Sequence, residues 1–113
     1  MVNKDYVPDR GDIIWLDFNP QKGKEQMGRR PALVISPKAY NKKVSLFLVV
    51  PITTKIKGYP FEVKLSESLK TKGVIISDQV KSLDWNYRNA DYIEKIDKKT
   101  IDEVLSKLTV LLR

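Results

Sequence analysis

Several short apolar runs, each bounded by proline, glycine or charged residues, constrain the fold of this chain more than any other feature. Four of them have the length of a strand: DIIWLDF (12–18), PALVIS (31–36), VSLFLVVP (44–51, closed by Pro51) and FEVKL (61–65). Residues 70–85 hold one or two more, with Gly73 at the entry and Asp78 as a bend. Runs of this length between turn-forming residues are typical of strands, so the sequence predicts five or six of them.

The alternation of side chains within each run predicts how the strand is buried. In the first run Ile14, Leu16 and Phe18 share one face, while Ile13 and Trp15 begin the other. Because both faces begin apolar, this strand is predicted to lie inside the sheet. The fourth run instead alternates apolar and charged residues, which is the pattern of a strand with one face in water.

The period of the apolar residues changes at the C-terminus. In TIDEVLSKLTVLLR they form a stripe at helical spacing, made of Ile101, Val104, Leu105, Leu108, Leu111 and Leu112. This stripe is predicted to be core. Thr100 and Glu103 fit a capping box at the start of the helix, with Asp97 as a competing cap. Residues 36–43 predict a turn or a single helical turn.

These elements predict one domain over residues 1–113, mainly β with a C-terminal α-helix. A small, strongly bent antiparallel sheet or a partly open barrel, with the helix packed on it, accommodates them. One helix covers only part of such a sheet, so either a dimer interface buries the rest or the barrel is a well-filled monomer. The sequence leaves both arrangements open.

Charge and residue types narrow the possible functions. The chain carries 21 Lys and Arg against 14 Asp and Glu, a net charge of +7, and this favours a polyanionic partner such as nucleic acid, an anionic membrane or an acidic protein. It has no cysteine and no histidine, which excludes disulfides, thiolate metal sites, cysteine nucleophiles and histidine acid–base chemistry. No stretch resembles a signal peptide or a membrane span, so a cytoplasmic location is expected.

The segment KGKEQMGRRPALVISP (22–37) carries the main candidate chemistry. A single carboxylate, Glu25, stands among Lys22, Lys24, Arg29 and Arg30. An ionised carboxylate can take a proton from a hydroxyl, and an arginine can pair with a phosphate through two parallel hydrogen bonds. Glu25 and Arg30 would thus form a histidine-free set for phosphodiester cleavage. The alternative is a solvated loop with ion pairs of little energetic value, which composition alone favours.

Two further groups of residues could contact a nucleic acid. Thr53 and Thr54 follow a buried strand, where their hydroxyls either hold a phosphate oxygen or, as is favoured in isolation, satisfy backbone groups of a turn. Cations and aromatic residues are interleaved further along, at Lys55, Lys57, Tyr59, Lys81, Trp85, Tyr87 and Arg88. That mixture suits single-stranded nucleic acid and, about equally, an ordinary lysine-rich surface over an aromatic core.

Taken together, GDIIWLDFNPQKGKEQMGRRPALVISP, YN at 40–41, VPITTKIKGYPFEV and DQVKSLDW resemble the MazF/PemK (Kid) family of toxin endoribonucleases, and most closely its MazF branch. The resemblance runs from VPDRGD near the N-terminus to the final helix. It implies an SH3-like barrel of the MazF/CcdB toxin type that forms a homodimer and is held off by a MazE-like antitoxin with an acidic C-terminal segment.

The same resemblance implies the reaction. Members of the family cut single-stranded RNA, including mRNA, without a metal ion or another cofactor. The 2′-hydroxyl attacks the adjacent phosphate and leaves a 2′,3′-cyclic phosphate and a 5′-hydroxyl. Cleavage of this kind would inhibit translation and growth.

The resemblance also assigns residues. Glu25 matches the family carboxylate and would act as general base, Arg30 as transition-state stabiliser and possible acid, and Thr53 as phosphate anchor. The positions placed near the RNA are Trp15, Phe18, Arg29, Lys57, Gln79, Lys81 and Arg88. Arg29 stands where one family member has a histidine, and residues 86–99 resemble the family only loosely.

Two other functions stay open at this point. A gyrase-poisoning toxin of the CcdB type would share the fold without cutting RNA. A non-catalytic RNA-binding barrel would use the basic surface but would have no need of Glu25. The EQMGRRP loop and the pair of threonines favour the nuclease over both.

Overall fold

A computed structural model of the chain describes residues 5–18 and 28–113. This part of the chain contains seven strands and two helices. In chain order they are β1 (Asp12–Asp17), β2 (Arg29–Val34), α1 (Lys38–Val44), β3 (Leu46–Thr53), β4 (Glu62–Lys64), β5 (Val74–Ile76), β6 (Lys81–Asp84), β7 (Asp91–Lys95) and α2 (Lys98–Leu111). The prediction of a mainly β fold with a C-terminal helix is confirmed.

Antiparallel pairing joins the strands into one bent sheet. Its order is β4, β5, β3, β2, β1, β7, and β6 also pairs with β3. The sheet bends at β3, because residues 46–49 pair with β6 whereas residues 52 and 53 pair with β5. The prediction that this strand closes at Pro51 is wrong. Pro51 pairs with Ala32 of β2, and β3 changes its partner on the other edge there and continues to Thr53.

Apolar side chains are buried on both faces of this sheet. The helix-side face buries Ile13, Leu33, Val50, Ile52 and Ile75 together with Ile101 and Val104 of α2. The opposite face buries Ile14, Leu16, Ala32, Val34, Phe47 and Val49. Because neighbouring residues of a strand point to opposite faces, β1, β2 and β3 contribute to both clusters. β1 lies between β2 and β7, so the prediction of an interior strand is confirmed.

Two elements differ from their prediction. The segment predicted as a turn or a single helical turn forms the seven-residue helix α1. Its Asn41 is fully buried and donates to the carbonyl oxygens of Pro8, at 2.8 Å, and Ser36, at 3.0 Å. Strand β7 was not predicted, although it pairs along β1. Strand β7 is stabilised by its pairing with β1, and α1 by the buried amide of Asn41. Local propensity does not reveal either interaction.

Helix α2 begins at the competing cap and not at the predicted capping box. The Asp97 carboxylate accepts hydrogen bonds from the backbone N–H of Thr100, at 3.0 Å, and from its hydroxyl, at 2.9 Å. One of the unpaired N–H groups of the first turn is satisfied in this way. Glu103 therefore has no capping role at the observed start of the helix.

The apolar stripe of α2 is buried over its first half only. Ile101 and Val104 are buried in the helix-side cluster, whereas Leu111 is 49% and Leu112 74% exposed. Within one chain the prediction that the whole stripe is core is therefore wrong for its last turn.

A test of the packing between β3 and β5 is available at Gly73. Its φ is +112°, and a Cβ there would lie 2.2 Å from the carbonyl oxygen of Thr53. Gly58, with φ +80°, has no atom within 4 Å of such a Cβ and is the matched control. We expect both alanine variants to incur backbone strain of about 1 kcal/mol or more. Gly73→Ala should lower the free energy of unfolding in urea further, because β5 must also move away from Thr53. Equal losses in the two variants would contradict a close approach of Gly73 to the backbone of Thr53.

Candidate active site

A depression of about 180 Å³ gathers side chains from the start of β2, the end of β3 and the segments that follow β3 and β5. We call it the Arg30 pocket. Its lining residues are Arg30, Pro51, Thr53, Lys55, Lys57, Tyr59, Glu62, Ile76 and Gln79. Four of these, Arg30, Thr53, Lys57 and Gln79, are positions that the family resemblance assigned to catalysis or RNA contact. The structure brings them together from separate parts of the chain.

The register of the sheet explains why Arg30 and Thr53 share one side. Arg30 pairs with Leu16, and Pro51 pairs with Ala32. Paired residues of antiparallel strands project from the same face, and Leu16 and Ala32 belong to the opposite-face cluster. Thr53 lies two residues beyond Pro51 and so projects from this face as well. The pocket is therefore a polar continuation of a buried apolar face.

The Thr53 hydroxyl has a partner within its own turn. Its oxygen accepts a hydrogen bond from the backbone N–H of Lys55 at 3.1 Å. That bond occupies one lone pair and leaves the O–H group able to donate to another acceptor. Thr53 can therefore stabilise the turn and also donate to a phosphate oxygen, so the two roles considered from the sequence are compatible.

Cations outnumber carboxylates among the described residues that line the pocket. Arg30, Lys55 and Lys57 face one carboxylate, Glu62. Both oxygens of Glu62 are occupied, because they accept the backbone N–H groups of Lys57, at 2.9 Å, and Gly58, at 2.8 Å. Glu62 thus fixes the loop before β4. The remaining positive charge favours an anion in the pocket.

Arg29 lies on the other side of β2 from Arg30. Its Nη1 is 2.9 Å from Oδ1 of Asp17 and its Nη2 is 2.8 Å from Oδ2 of Asp91. These bonds join β2 to β1 and β7 and neutralise the guanidinium. The two adjacent arginines therefore have different surroundings: Arg29 is paired with two carboxylates, and Arg30 is an exposed cation in the pocket.

Trp15 does not reach the Arg30 pocket. It pairs with Pro31, which places it on the helix-side face, and its side chain is 44% exposed. It lines a separate depression of about 470 Å³ together with Pro31, Thr54, Lys70, Thr71, Lys72 and Ile93. Phe18 is only 6% exposed and packs in the opposite-face cluster. A buried ring has little surface to offer a base, so the structure gives no support to an RNA contact at Phe18.

The remaining predicted positions have mixed placements. Lys81 pairs with Val49, so it projects from the same face as Arg30, and it is exposed. Arg88 donates to the carbonyl oxygens of Asp17, at 3.2 Å, and of Phe18, and it thereby holds the end of β1. Glu25, the predicted general base, falls within residues 19–27 and lies outside the described residues.

Two carboxylates beside the pocket, Glu62 and Asp78, form hydrogen bonds that were not predicted from the sequence. Glu62 was predicted only as a solvent-facing residue of its strand, and Asp78 only as a bend. Asp78 accepts a hydrogen bond from the Tyr59 hydroxyl at 2.5 Å, and this bond raises the pKa of Tyr59 to about 12. The polar composition of TTKIKGYP (53–60) was the only local indication that this loop carries functional residues. Its contacts could not be predicted, because they depend on how the loop folds onto the turn after β5.

Among the described residues there is neither a cluster of metal ligands nor a membrane-spanning helix. Residues 5–18 and 28–113 contain no group of three or more His, Cys, Asp or Glu side chains placed to hold a metal ion. Over the same residues, neither helix is long and apolar enough to cross a membrane.

Comparison with known proteins agrees with this geometry. A family model described as "PemK-like, MazF-like toxin of type II toxin-antitoxin system" matches residues 9–112. The chain belongs to this family. The endoribonuclease toxin MazF of Escherichia coli K12 is 49% identical over 112 residues, which cover 99% of each chain. The resemblance inferred from the sequence motifs is therefore confirmed.

Solved structures of the family have the same fold. MazF from Deinococcus radiodurans superposes with a TM-score of 0.87 and is 49% identical, with 96% of this chain and 98% of that chain covered. A MazE–MazF crystal structure from the same organism gives a TM-score of 0.87 at 47% identity, with 95% and 97% covered. The MazF-type toxin fold implied by the motifs is thus confirmed.

The ion pair of Arg29 generates a prediction about acid stability. Partial burial acts to raise the pKa of the Asp17 carboxyl, but hydrogen bonds from Asn89 and Arg29 and the positive charge of Arg29 and Arg88 outweigh it, so this pKa lies below its ordinary value. A carboxyl with a lowered pKa stabilises the fold above its unfolded-state pKa of about 4, and that contribution is lost as the pH falls through the folded-state value.

We therefore expect Asp17→Asn to destabilise the protein at pH 7 and to make its free energy of unfolding less dependent on pH below about pH 5. Denaturant unfolding measured from pH 7 to pH 2.5 would test this, with Asp102→Asn on the exposed surface of α2 as the control. An unchanged slope in Asp17→Asn would show that the ion pair contributes nothing to acid stability.

Proposed function

We propose that this chain, a MazF-type toxin endoribonuclease of a type II toxin–antitoxin system, cuts single-stranded RNA at the Arg30 pocket without a metal ion. The observation that carries the proposal is the meeting of Arg30 and Thr53 in one basic pocket of a chain that belongs to this family. Neither residue type is specific alone. Their shared face, with Lys57 and Gln79 beside them, supports a site for a phosphodiester.

In the proposed reaction the RNA supplies its own nucleophile. The 2′-oxygen forms a bond to the adjacent phosphorus, and its proton passes to the carboxylate of Glu25. The bond between phosphorus and the 5′-oxygen breaks, and that oxygen takes a proton from water. The products are a 2′,3′-cyclic phosphate and a 5′-hydroxyl. DNA has no 2′-hydroxyl and would not be cut.

The pocket residues would act mainly through charge and position. Arg30 would stabilise the extra negative charge of the pentacoordinate phosphate with its fixed donors. A guanidinium scarcely gives up a proton, so we assign it charge stabilisation and not acid catalysis. Thr53 would hold a phosphate oxygen with its O–H group. Lys57, Gln79 and Lys81 would contact neighbouring parts of the RNA strand.

We also propose the partners and the location. A second copy of the chain would cover the exposed last turn of α2, where Val110, Leu111 and Leu112 are 70%, 49% and 74% exposed. The net charge of +7 suits a MazE-like antitoxin with an acidic C-terminal segment, and a solved relative is a MazE–MazF complex. The proposed location of the toxin is the cytoplasm.

The two adjacent arginines allow a direct test of the proposed site. Arg30→Ala should lower the rate of RNA cleavage by about 10²–10³-fold with little change in stability, because an exposed stabiliser of the transition state is removed. Arg29→Ala should lower the free energy of unfolding, because it removes the ion pairs with Asp17 and Asp91, and should lower the rate much less. Cleavage of a labelled RNA in EDTA and urea unfolding would measure the two effects. A larger fall in rate in Arg29→Ala would reverse the assignment.

The role of Glu25 is tested separately, since it concerns proton transfer. Glu25→Gln removes the base and keeps the size of the side chain, and we expect it to abolish cutting in EDTA while the variant still binds RNA. Mapping the ends of the wild-type fragments should give 2′,3′-cyclic phosphate and 5′-hydroxyl. A variant that still cuts at the wild-type rate would exclude Glu25 as the base. Fragments with 5′-phosphate would exclude attack by the 2′-hydroxyl.

A further inference from the structure

Two segments that are distant in sequence meet at the outer wall of the Arg30 pocket. One is the loop that precedes β4 and the other is the turn that follows β5. The Tyr59 hydroxyl donates to Oδ1 of Asp78 at 2.5 Å, and the backbone N–H of Ser77 donates to the carbonyl oxygen of Phe61 at 3.0 Å. The pairing of Glu62 with Ile76 in the β4–β5 ladder continues this contact.

Each of the two segments carries one polar residue of the pocket wall. Lys57 lies two residues before Tyr59, and Gln79 follows Asp78 directly. Tyr59 itself lines the pocket, and its hydroxyl donates to the exposed Asp78, which is not one of the lining residues. A change in the distance between the two segments would therefore move Lys57 and Gln79 relative to Arg30 and Thr53.

We propose that Tyr59 and Asp78 are a positioning pair, whose hydrogen bond holds Lys57 and Gln79 at the correct distance from Arg30 for the RNA strand. The inference rests on the proposed function of the pocket. Neither member of the pair takes part in the chemistry.

The loop depends on such contacts because hydrogen bonds, and not burial, hold its outer part. Residues 54–58 are exposed, and Gly58 adopts a positive φ. The Glu62 carboxylate holds the backbone N–H groups of Lys57 and Gly58, and Lys107 of α2 donates to the carbonyl oxygen of Pro60 at 2.5 Å. These contacts bind the loop to β4 and α2. The Tyr59 hydroxyl is the side-chain contact that binds it to the turn carrying Gln79.

The chemistry of the pair suits a fixed contact. A hydrogen bond from a phenol to an ionised carboxylate is stronger than one between neutral groups. The bond raises the pKa of Tyr59 to about 12, so the hydroxyl keeps its proton at every pH at which the enzyme would work. The donor of this bond is therefore present under those conditions.

The experiment compares Tyr59→Phe, Asp78→Ala and the double variant with wild type on the RNA sequence defined by end mapping, because alanine removes the oxygen that accepts the Tyr59 hydroxyl. Tyr40→Phe, an exposed tyrosine of α1, is the matched control. The measurements are kcat, KM, the dependence of KM on salt concentration, and the thermal midpoint.

We expect either single variant to raise KM by about 5–10-fold and to change kcat by less than about threefold, because binding groups are displaced while the reacting groups stay in place. The slope of log KM against log salt should fall by about 0.7 if the displaced Lys57 no longer neutralises a phosphate, since Gln79 carries no charge. The double variant should resemble the single ones, since both remove the same bond. In a Lys57→Ala background, Tyr59→Phe should have a smaller effect on KM than in wild type.

Three results would overturn the inference. The first is a Tyr59→Phe variant with wild-type KM and salt slope. The second is a variant whose thermal midpoint falls while KM and the salt slope stay unchanged, because the pair would then serve stability alone. The third is a double variant in which the effects of the two single changes on KM add. A wild-type protein that does not cut RNA in EDTA would contradict the proposed function and, with it, the inference. In the other three cases the wild-type protein cuts RNA, and only the inference fails.

Discussion

The register of β2 between β1 and β3 is the constraint on which the site depends. Ala32, Leu33 and Val34 are fully buried, and they alternate between the two apolar clusters of the sheet. A slip of one residue would exchange the two faces and put side chains of the wrong size into both clusters, so the packing of these three residues contributes to fixing the register. The same register turns Arg30 to one face and Arg29 to the other. Core packing thus selects which arginine is available to a ligand.

The surroundings of the two arginines follow from that selection. On the helix-side face, Arg29 meets Asp17 and Asp91, and its charge contributes to joining three strands. On the opposite face, Arg30 lies beyond the apolar cluster, where the sheet bends at β3 and the segments after β3 and β5 come together. The cations of the chain therefore do not all have the same role. Some cations are neutralised by structural ion pairs, and others concentrate around a pocket that suits a phosphate.

Some residues of the pocket belong to strands of the sheet, and others lie on loops that hydrogen bonds hold in place. Arg30 and Thr53 belong to strands of the sheet, whose positions are fixed by the ladder and the core. Lys57 and Gln79 lie on connecting segments, which Glu62, Tyr59 and Asp78 tie to the sheet and to one another. Reactions that depend on charge stabilisation require such fixed distances, because a donor displaced by an ångström loses much of its effect.

Part of the fold and of the site could be predicted from local pattern. The strand-length runs, the interior position of β1 and the helical stripe of α2 follow from periodicity, because apolar residues at a period of two or 3.6 share one face of a strand or a helix. The misses have a common cause. β7 is stabilised by pairing with β1, α1 includes the buried amide of Asn41, and β3 continues past Pro51 because it changes partner there. None of these interactions is local in sequence.

The sequence by itself determined the family, through motifs in a fixed order, and it determined that chemistry at this site uses neither histidine nor cysteine. The family resemblance gave the two adjacent arginines different roles, but the sequence did not show what either of them contacts. Only the tertiary structure decided that Arg29 forms ion pairs while Arg30 faces the pocket, and that Phe18 is covered while Trp15 lies on the other face. The physical reason is that side-chain alternation gives two faces to every strand, and only the packing of neighbouring elements decides which face is closed and which stays open.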